Sequence, residues 1–304
     1  MPAKLLEGAP IVEKIMGDVA VGVADLKSRG IMPKLVALQV GESSSGTRGY
    51  IKSQQSSSES CGVEHEVREM PADTTEEQLM AELARINADR SIHGVILMVP
   101  LPPHLNARKI QVMIAPSKDV EGMHPENMGR LFYGDQRVAP CTAMAAIEVL
   151  LSAGLSLAGR EVVILGRSQI VGRPAAMLLL QSQKNAPTVT VCHTGTDKAG
   201  MTPFHTKRAD VIISAVGVKP NLVTGEMIKQ GATVIDVATM QIPDLAPDGT
   251  PVLDKKGKPK KRWVGDVDAV AAMEKCEFLA PVPGGVGPVT AAILMRNLLA
   301  CAGA

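Results

Sequence analysis

The chain has 304 residues, which is enough for two domains of ordinary size, each with its own core. Hydrophobic residues make up 45%, charged residues 21%, and the formal net charge is +1, so the composition is that of a globular protein and excludes disordered and fibrous classes. The near-zero charge gives no reason to expect a nucleic-acid partner, and no apolar run approaches the ~20 residues that span a bilayer.

The first half of the chain alternates predicted helices with predicted strands. The helix from 74 carries Thr74 or Thr75 as its N-cap and glutamates in its first turn. Such alternation predicts right-handed βαβ units and a parallel sheet. The predicted elements are a helix near 10–29, a strand at 34–40, a helix near 48–61, a strand at 65–71, a helix from 74 and a strand at 94–100.

A second alternating series follows the PCT sequence at 140–142 and predicts a Rossmann-like half. A turn-rich hairpin at 241–263 leaves its sheet, and a final helix at about 289–302 starts after Pro288 and returns to the first domain. The predicted fold is therefore α/β with two domains, 1–140 plus 287–304 and 141–286. The elements of this half are a helix at 143–154, strands at 161–166, 188–194, 209–217 and 233–239, and helices at 171–183 and 224–230.

The amino terminus and the cysteines bear on the compartment. The sequence MPAKLLEGAP lacks the basic start, the apolar middle and the cleavage site of a signal peptide. The five cysteines are scattered, and no C-x-x-C pair indicates a zinc or redox site. We expect a cytoplasmic protein with free thiols, no membrane partner and no metal. The basic run at 255–262 is read as a solvated hairpin and not as a nucleic-acid surface.

A glycine-bearing loop joins the strand at 161–166 to the following helix. Gly166 and Gly172 permit close backbone approach, and the N–H groups at the start of the helix point at an anion. Ser168 stands where the second glycine of G-x-G-x-x-G would be, so an ordinary βα turn remains an alternative to a dinucleotide site.

The end of the next strand indicates which dinucleotide this site would take. It reads Cys192, His193, Thr194, with no carboxylate to accept from the ribose hydroxyls of NAD. Arg167 is available to pair with a 2′-phosphate. The sequence therefore favours NADP, and His193 either faces that phosphate or is an ordinary surface residue.

Four blocks of sequence together resemble one family. They are VILMVPLPPH at 95–104, KDVEGMHPENMGRL at 118–131, ILGRSQIVGRP at 164–174 and APVPGGVGPVT at 280–290. Their order and spacing are similar to the bifunctional methylenetetrahydrofolate dehydrogenase/cyclohydrolases. The resemblance implies a homodimer whose subunits hold folate in the first α/β domain and NADP in the second, with a cleft between the domains.

The resemblance also implies two reactions and a set of site residues. Hydride transfer to NADP oxidises 5,10-methylenetetrahydrofolate, and an essential lysine four residues after a tyrosine supports hydrolysis of the methenyl product. Catalytic positions correspond to Tyr50, Gln54, Met98 and Glu121. Substrate-binding positions correspond to Tyr50, Glu121, Val99, Pro283, Gly284 and Gly285. Cofactor-binding positions correspond to Gly166, Arg167, Ser168, Gly172, Thr194 and Thr239.

Three positions in the predicted folate site depart from the family pattern. Gln54 occupies the place of the lysine, and a glutamine amide does not act as an acid or base near neutral pH. Met98 replaces a glutamine, and Glu121 replaces an aspartate that contacts the pterin. Lys52 is close in sequence, but a helix turns about 100° per residue, so it faces elsewhere.

Several functions fit these departures. The leading prediction is an NADP-dependent methylenetetrahydrofolate dehydrogenase whose cyclohydrolase step is weak or lost. A fully bifunctional enzyme would need Lys52 or a water network in place of the missing lysine. A catalytically weak folate or NADP binder would also fit, as would a dehydrogenase acting on another pterin carrier.

Overall fold

The computed structural model of the chain describes residues 2–246, 248–254 and 257–303, so Lys255 and Lys256 of the basic run lie outside the described residues. The helices and strands of the described residues are, in chain order, β1 (Lys4–Leu5), α1 (Gly8–Ser28), β2 (Lys34–Val40), α2 (Ser45–Cys61), β3 (Glu64–Met70), α3 (Glu76–Ala88), β4 (Gly94–Leu97), α4 (Ala107–Gln111), α5 (Pro125–Tyr133), α6 (Cys141–Leu151), β5 (Glu161–Leu165), α7 (Gly172–Leu180), β6 (Thr188–Cys192), α8 (Thr194–Lys198), α9 (Thr202–Thr206), β7 (Val211–Ser214), β8 (Thr233–Asp236), β9 (Met240–Pro243), β10 (Lys261–Val264), α10 (Ala269–Lys275), β11 (Phe278–Ala280) and α11 (Val286–Ala302).

Residues 12–144 and 290–303 form one compact unit, which we call the three-stranded unit. Its parallel sheet has the order β3-β2-β4, with Leu35 opposite both His65 and Gly94. The central strand β2 is buried along nearly its whole length, which agrees with the apolar run that predicted it. Helix α3 buries Leu79, Leu83 and Ile86 against this sheet, because residues spaced by three and four lie on one helical face.

Two polar side chains fix where helices α2 and α3 of this unit begin. Thr75 accepts from the main-chain N–H of Gln78 at 3.3 Å, and the Gln78 side chain accepts from the Thr75 N–H at 2.9 Å, so Thr75 is the N-cap of α3. Ser44 accepts from the Thr47 N–H at 3.1 Å and caps α2. Helix α2 therefore starts at Ser45, three residues before the predicted start.

Residues 2–11 and 145–289 form a second compact unit, the six-stranded unit. Its sheet has the order β1-β11-β8-β7-β5-β6, and every pair is parallel. Strands β9 and β10 pair antiparallel outside this sheet, which confirms the hairpin expected at 241–263. The core of the unit lies on the buried strands β5, β7 and β8. The α/β class with parallel sheets agrees with the sequence prediction.

The amino-terminal segment is placed differently from the prediction. The predicted boundaries put residues 1–140 together, whereas residues 2–11 cluster with the six-stranded unit. The reason is strand β1, which pairs with β11 through Lys4 opposite Phe278 and Leu5 opposite Leu279. A two-residue edge strand carries too little pattern to be seen in sequence.

The helix predicted at 224–230 is wrong. Only a 3₁₀ turn at Gly225–Met227 forms there. Thr224 makes no side-chain cap, and Ile228 is already extended and buried in the core. Helix α11, in contrast, begins three residues before the predicted start, because Pro288 is tolerated in the first helical turn, where its missing N–H has no partner to lose.

All five cysteines are buried and none forms a disulfide. Burial raises the pKa of the Cys276 thiol to about 11 and that of Cys301 to about 12. Their thiols therefore stay protonated at neutral pH. Within the described residues, no helix combines the length and apolar character needed to cross a membrane.

Candidate functional site

A pocket lies at the carboxyl end of the three-stranded sheet. Strand β2 has β3 on one side and β4 on the other, so the order in which strands are added reverses at β2. In open α/β sheets, a crevice forms at the carboxyl ends of the strands where this reversal occurs. The cavity measures about 320 Å³. We call it the Tyr50 pocket, and its lining residues are Ser44, Gly46, Thr47, Tyr50, Ile96, Leu97, Met98, Val99, Pro100 and Glu121.

Gln54 lies behind the lining of this pocket, where it contacts Met98. It follows Tyr50 by one turn of α2 and its side chain is 0% exposed. Its Nε2 atom lies 3.8 Å from Met98 Sδ, and its Oε1 atom lies 3.2 Å from His65 Nε2. Lys52 is exposed to solvent. The structure thus brings Tyr50, Gln54 and Met98 together, and Lys52 does not join them.

The two ionisable groups that line the Tyr50 pocket are both shifted toward their neutral forms. Burial, followed by repulsion from Cys141 and Glu121 once these groups are ionised, raises the pKa of Tyr50 far above its usual range. Burial, followed by the charge of Asp119, raises the pKa of Glu121 to about 8. The lining residues that the structure describes include no lysine or arginine to offset these charges.

The backbone on either side of Glu121 is held firmly. An isolated parallel bridge joins Asp119 to Val95 of β4, which carries the following residues to the pocket edge. The Asp119 carboxylate accepts from the His124 N–H at 2.7 Å and from Asn127 Nδ2 at 2.8 Å. Gly122 has φ +66°, and a Cβ there would lie 2.5 Å from the Ala139 carbonyl carbon. Glu121 is therefore presented by a segment with little freedom.

Sequence reasoning missed several residues that support this site. Asn297 of α11 donates to the carbonyls of Val120 and Ala139, although it is 177 residues from Val120 in sequence, and nothing in its neighbours signals this. Cys141 donates to the Val120 carbonyl at 3.4 Å. Its place in the PCT sequence was the one available signal.

A second pocket lies at the carboxyl end of the six-stranded sheet. Strand β5 is flanked by β6 on one side and β7 on the other, so the order in which strands are added to this sheet reverses at β5. The cavity measures about 360 Å³. We call it the Gly166 pocket, and its lining residues are Leu165, Gly166, Arg167, Cys192, His193, Thr194, Asp197, Thr202, Pro203, Val216, Val218, Lys219, Leu222 and Met227.

Three of the residues predicted for a cofactor, Gly166, Arg167 and Thr194, line this pocket. Lys219 and Asp197 line it as well and were not predicted, because Lys219 lies in a loop and Asp197 on the short helix α8, and neither belongs to a motif. His193, at the strand end, caps helix α8, because its Nδ1 accepts from the Gly195 N–H at 3.0 Å.

The loop between β5 and α7 has room only for glycine at two points. Gly166 has φ +110°, and a Cβ there would lie 2.5 Å from the Ala215 carbonyl oxygen. A Cβ on Gly172 would clash with the Gly166 carbonyl. Ser168 stands at the position of the second motif glycine, and its Oγ accepts from the Val171 N–H at 3.0 Å, which stabilises the turn. A tight loop beside Arg167 at the start of α7 fits a phosphate-bearing dinucleotide.

A buried carboxylate shapes the loop after β7 that lines the same pocket. Asp266, which is 0% exposed, accepts from Ser214 Oγ at 2.8 Å and from the N–H groups of Val216 at 2.8 Å and Gly217 at 2.9 Å. Three donors compensate the burial of its charge. Its signal in sequence was the VGDVD block at 264–268.

The remaining predicted residues lie elsewhere in the six-stranded unit. Thr239 is exposed after β8 and is not among the residues lining the Gly166 pocket. Pro283, Gly284 and Gly285 connect β11 to α11, and the Gly284 carbonyl accepts from the Gly8 N–H at 2.8 Å. The proposed contacts of these four residues with substrate or cofactor stay predictions.

Two α/β units, each with a pocket at the point where the strand order of its parallel sheet reverses, define an enzyme class in which one unit binds a dinucleotide and the other a small substrate. The chain belongs to the tetrahydrofolate dehydrogenase/cyclohydrolase family. The catalytic-domain model of that family matches residues 6–121, and its NAD(P)-binding-domain model matches residues 140–304. The resemblance found in the sequence is thereby confirmed.

Individual relatives are similar over almost the whole chain. The bifunctional protein FolD 2 of Geobacter sulfurreducens is 41% identical over 99% of this chain and 97% of its own length. The bifunctional protein FolD of Syntrophus aciditrophicus is 40% identical over 99% and 98%. A Trypanosoma brucei methylenetetrahydrofolate dehydrogenase-cyclohydrolase, solved in complex with NADP and an inhibitor, superimposes with a TM-score of 0.87 at 34% identity, covering 100% of this chain and 98% of that one.

Proposed function

We propose that this chain is an NADP-dependent dehydrogenase that oxidises 5,10-methylenetetrahydrofolate to 5,10-methenyltetrahydrofolate, with its cyclohydrolase step weak or lost. The observation that carries the second part is Gln54, a neutral, fully buried amide at the position of the family's lysine, with Met98 and His65 as its partners. The family membership and the two pockets support the first part.

The dehydrogenase reaction asks for positioning more than for an acid or base. The hydride leaves a methylene carbon between two nitrogens, whose lone pairs stabilise the cation that forms. Tyr50 and Glu121 line a pocket that offers an aromatic ring and a carboxylate to the pterin. In this proposal, the Glu121 carboxylate accepts hydrogen bonds from the ring N–H and amino groups of the pterin. NADP, when bound, supplies the hydride acceptor. Gly166, Arg167, Ser168, Gly172 and Thr194 would hold it.

Hydrolysis makes a different demand, because a water must be activated and protons must move. The raised pKa of Tyr50 keeps its phenol neutral, and the amide of Gln54 exchanges no proton near pH 7. Lys52 is exposed and is absent from the lining of the Tyr50 pocket. These residues support a slow cyclohydrolase.

A fully bifunctional enzyme is the second candidate, and the relatives favour it. Two of the similar proteins carry the word bifunctional in their names. In that case a water network around Glu121, whose pKa lies at about 8, would provide the base that the family draws from its lysine.

A paired assay on one purified preparation decides between the candidates. NADPH formation from methylenetetrahydrofolate reports the first reaction, and loss of methenyltetrahydrofolate absorbance reports the second. We expect NADPH turnover at ~1 to 1000 per second and hydrolysis close to the uncatalysed rate. Fast hydrolysis would favour the bifunctional enzyme. Absence of NADPH formation would favour a folate or NADP binder, or an enzyme for another pterin carrier.

We infer NADP rather than NAD from the cations of the Gly166 pocket. Arg167 and Lys219 both line it, and the strand end at His193 and Thr194 carries no carboxylate. Asp197 lies further along, on α8. Comparison of kcat/KM for the two dinucleotides tests this preference.

We also propose the homodimer and the cytoplasmic location that the family resemblance suggested. Sedimentation equilibrium at micromolar concentration tests the dimer through a mass twice that of the chain. Fractionation of the source cells tests the location.

A further inference from the structure

We propose that the Tyr50 pocket binds the one-carbon folate as a cation, with the Glu121 carboxylate as its counter-charge, and so favours the methenyl product over uncharged folates of similar shape. The inference rests on the proposed dehydrogenase function and names the charge state that the pocket selects. It is carried by the side chains that line the pocket, among which the acid Glu121 stands without a basic residue.

Hydride transfer creates a positive charge in the folate itself. The C–H bond of the methylene bridge breaks, the hydrogen leaves with both electrons to the acceptor, NADP, and the bridge remains as a cation shared by its two nitrogens. Both nitrogens are fully substituted, so this amidinium group has no N–H to donate and is recognised by its charge and shape. A site that stabilises it must offer an opposite charge in surroundings with little water.

One side of the pocket is an apolar wall. A run of five residues at and after the end of β4 forms it: Ile96, Leu97, Met98, Val99 and Pro100. Met98 contributes a thioether, which is polarisable and has no proton to donate. A delocalised cation is weakly hydrated, so it enters such surroundings at a lower cost than a compact ammonium does.

The polar side chains beside this wall are neutral and bonded to one another. The hydroxyl oxygens of Ser44 and Thr47 lie 2.9 Å apart. Behind the lining, the amide of Gln54 has its Oε1 atom 3.2 Å from His65 Nε2 and its Nε2 atom 3.8 Å from Met98 Sδ. A lysine at position 54 would place an ammonium there, and like charges repel. The neutral amide leaves the pocket free of that repulsion.

The basic side chains nearest to the pocket in sequence are directed elsewhere. Arg48 and Lys52 of α2 are exposed to solvent. Lys118 is three residues before Glu121, but its Nζ atom donates to two main-chain carbonyls at the end of α3, at 2.7 and 2.5 Å. These three residues are absent from the described lining of the pocket. The charge that the pocket offers to a ligand is therefore that of Glu121.

Glu121 is close enough to act on any charge inside the pocket. A round cavity of about 320 Å³ is about 8 Å across, which is within one Debye length. The pKa of Glu121 is raised to about 8 by burial and by the charge of Asp119, and a cation bound beside it would lower that pKa again. Hydride transfer thus turns an uncharged ligand into one that this carboxylate attracts, so the pocket stabilises the transition state more than the substrate.

Two ligands that share the pterin and differ in charge at the one-carbon group test the proposal. The cation is 5,10-methenyltetrahydrofolate, and the uncharged reference is 5-formyltetrahydrofolate. Rapid mixing at pH 7 measures both Kd values before the cation hydrolyses. We expect the wild type to bind the cation at least about tenfold more tightly.

Three variants separate charge from shape. Glu121→Gln should reduce the preference for the cation about tenfold, whereas Glu121→Asp, which keeps the charge, should retain it within about threefold. Glu59→Gln removes an exposed carboxylate of α2, where solvent and salt screen the charge, and should leave the preference unchanged.

A wild type that binds the cation no more tightly than 5-formyltetrahydrofolate would overturn the proposal, and this comparison needs no variant. Equal losses of affinity for both ligands in Glu121→Gln would show that Glu121 acts only as a hydrogen-bond acceptor, which also overturns it. In both cases the proposed dehydrogenase function stands. Failure of the wild type to bind either ligand would instead contradict the folate site, and with it the proposed function.

Discussion

The side-chain amide of Asn297 donates to the main-chain carbonyl of Val120 at 2.8 Å, one residue before Glu121. The same nitrogen lies 2.9 Å from the carbonyl oxygen of Ala139. Asn297 is buried, so water does not compete for these bonds. One side chain of the last helix therefore ties together two separate segments beside the Tyr50 pocket.

Replacement of Asn297 by leucine leaves two buried carbonyls without this donor. We expect the free energy of unfolding to fall by roughly 2–4 kcal/mol, because each unsatisfied buried group costs about 1–3 kcal/mol. Urea unfolding measures the loss. Gln55→Leu, at an exposed amide, serves as the control and is expected to change stability by less than about 0.5 kcal/mol. Equal midpoints for the two variants would contradict a role for Asn297.

Folate binding should depend on the protonation of Glu121. Its pKa in the free protein is about 8, so the carboxylate that accepts from pterin N–H groups is the minor form at pH 7. We expect the Kd for 5-formyltetrahydrofolate to fall about tenfold for each unit by which the pH rises toward 8, and to become constant above pH 8. In Glu121→Gln the profile should be flat. A Kd that rises with pH would mean that the neutral acid is the binding form.

The same carboxyl affects stability with the opposite sign. The pKa of Glu121 is higher in the folded chain, at about 8, than the usual value of 4.5, so between these values the folded state holds a proton that the unfolded state has released. Its contribution to stability therefore falls as pH rises from about 4.5 to 8 and is constant above. Urea midpoints of the wild type and Glu121→Gln should converge at low pH and separate toward pH 8, with the variant more stable.

Cyclohydrolase activity should return more fully with two changes than with one. Gln54→Lys alone places an ammonium against the Met98 sulfur, which is a weak acceptor. Gln54→Lys with Met98→Gln gives that ammonium an amide oxygen, and we expect roughly 100-fold faster hydrolysis of methenyltetrahydrofolate than in wild type. Gln55→Lys adds the same charge on the exposed side of α2 and should leave the rate unchanged. An equal rate for wild type and the double variant would remove the explanation based on Gln54.

Dinucleotide preference should depend on Arg167. It lines the Gly166 pocket, whereas the exposed Arg173 of α7 is absent from that lining. Arg167→Ala is expected to lower kcat/KM for NADP about 10–100-fold, the size of a lost charge-assisted contact, with little effect on NAD. Arg173→Ala is the matched control. Parallel losses with both dinucleotides would show that Arg167 does not contact the 2′-phosphate.

Sequence patterns predicted those parts of the fold whose structure is determined by residues close together in the sequence. Strand β2 is an apolar run buried on both faces, and Thr75 stands three residues before Gln78 as a capping box requires. The 3₁₀ turn at Gly225–Met227 was misread as a helix, because its length is decided by Ile228 joining the core.

The candidate sites were predictable where they follow strand ends. Gly166 and Met98 come directly after β5 and β4, so parallel-sheet topology places them at a pocket. The partners of Gln54 and of the Glu121 segment were not predictable. His65 and Asn297 reach these sites from another strand and from the last helix, and no local pattern marks a contact across 11 or 177 residues.

Because its native thiols are buried, the chain is suited to labelling at a single introduced cysteine. Maleimide dyes attack thiolates, and every native cysteine is buried. A cysteine introduced at the exposed Lys52 would then be the fast-reacting position in the native enzyme, two residues from Tyr50. A fluorophore there would report on ligand entry without first removing the five native cysteines.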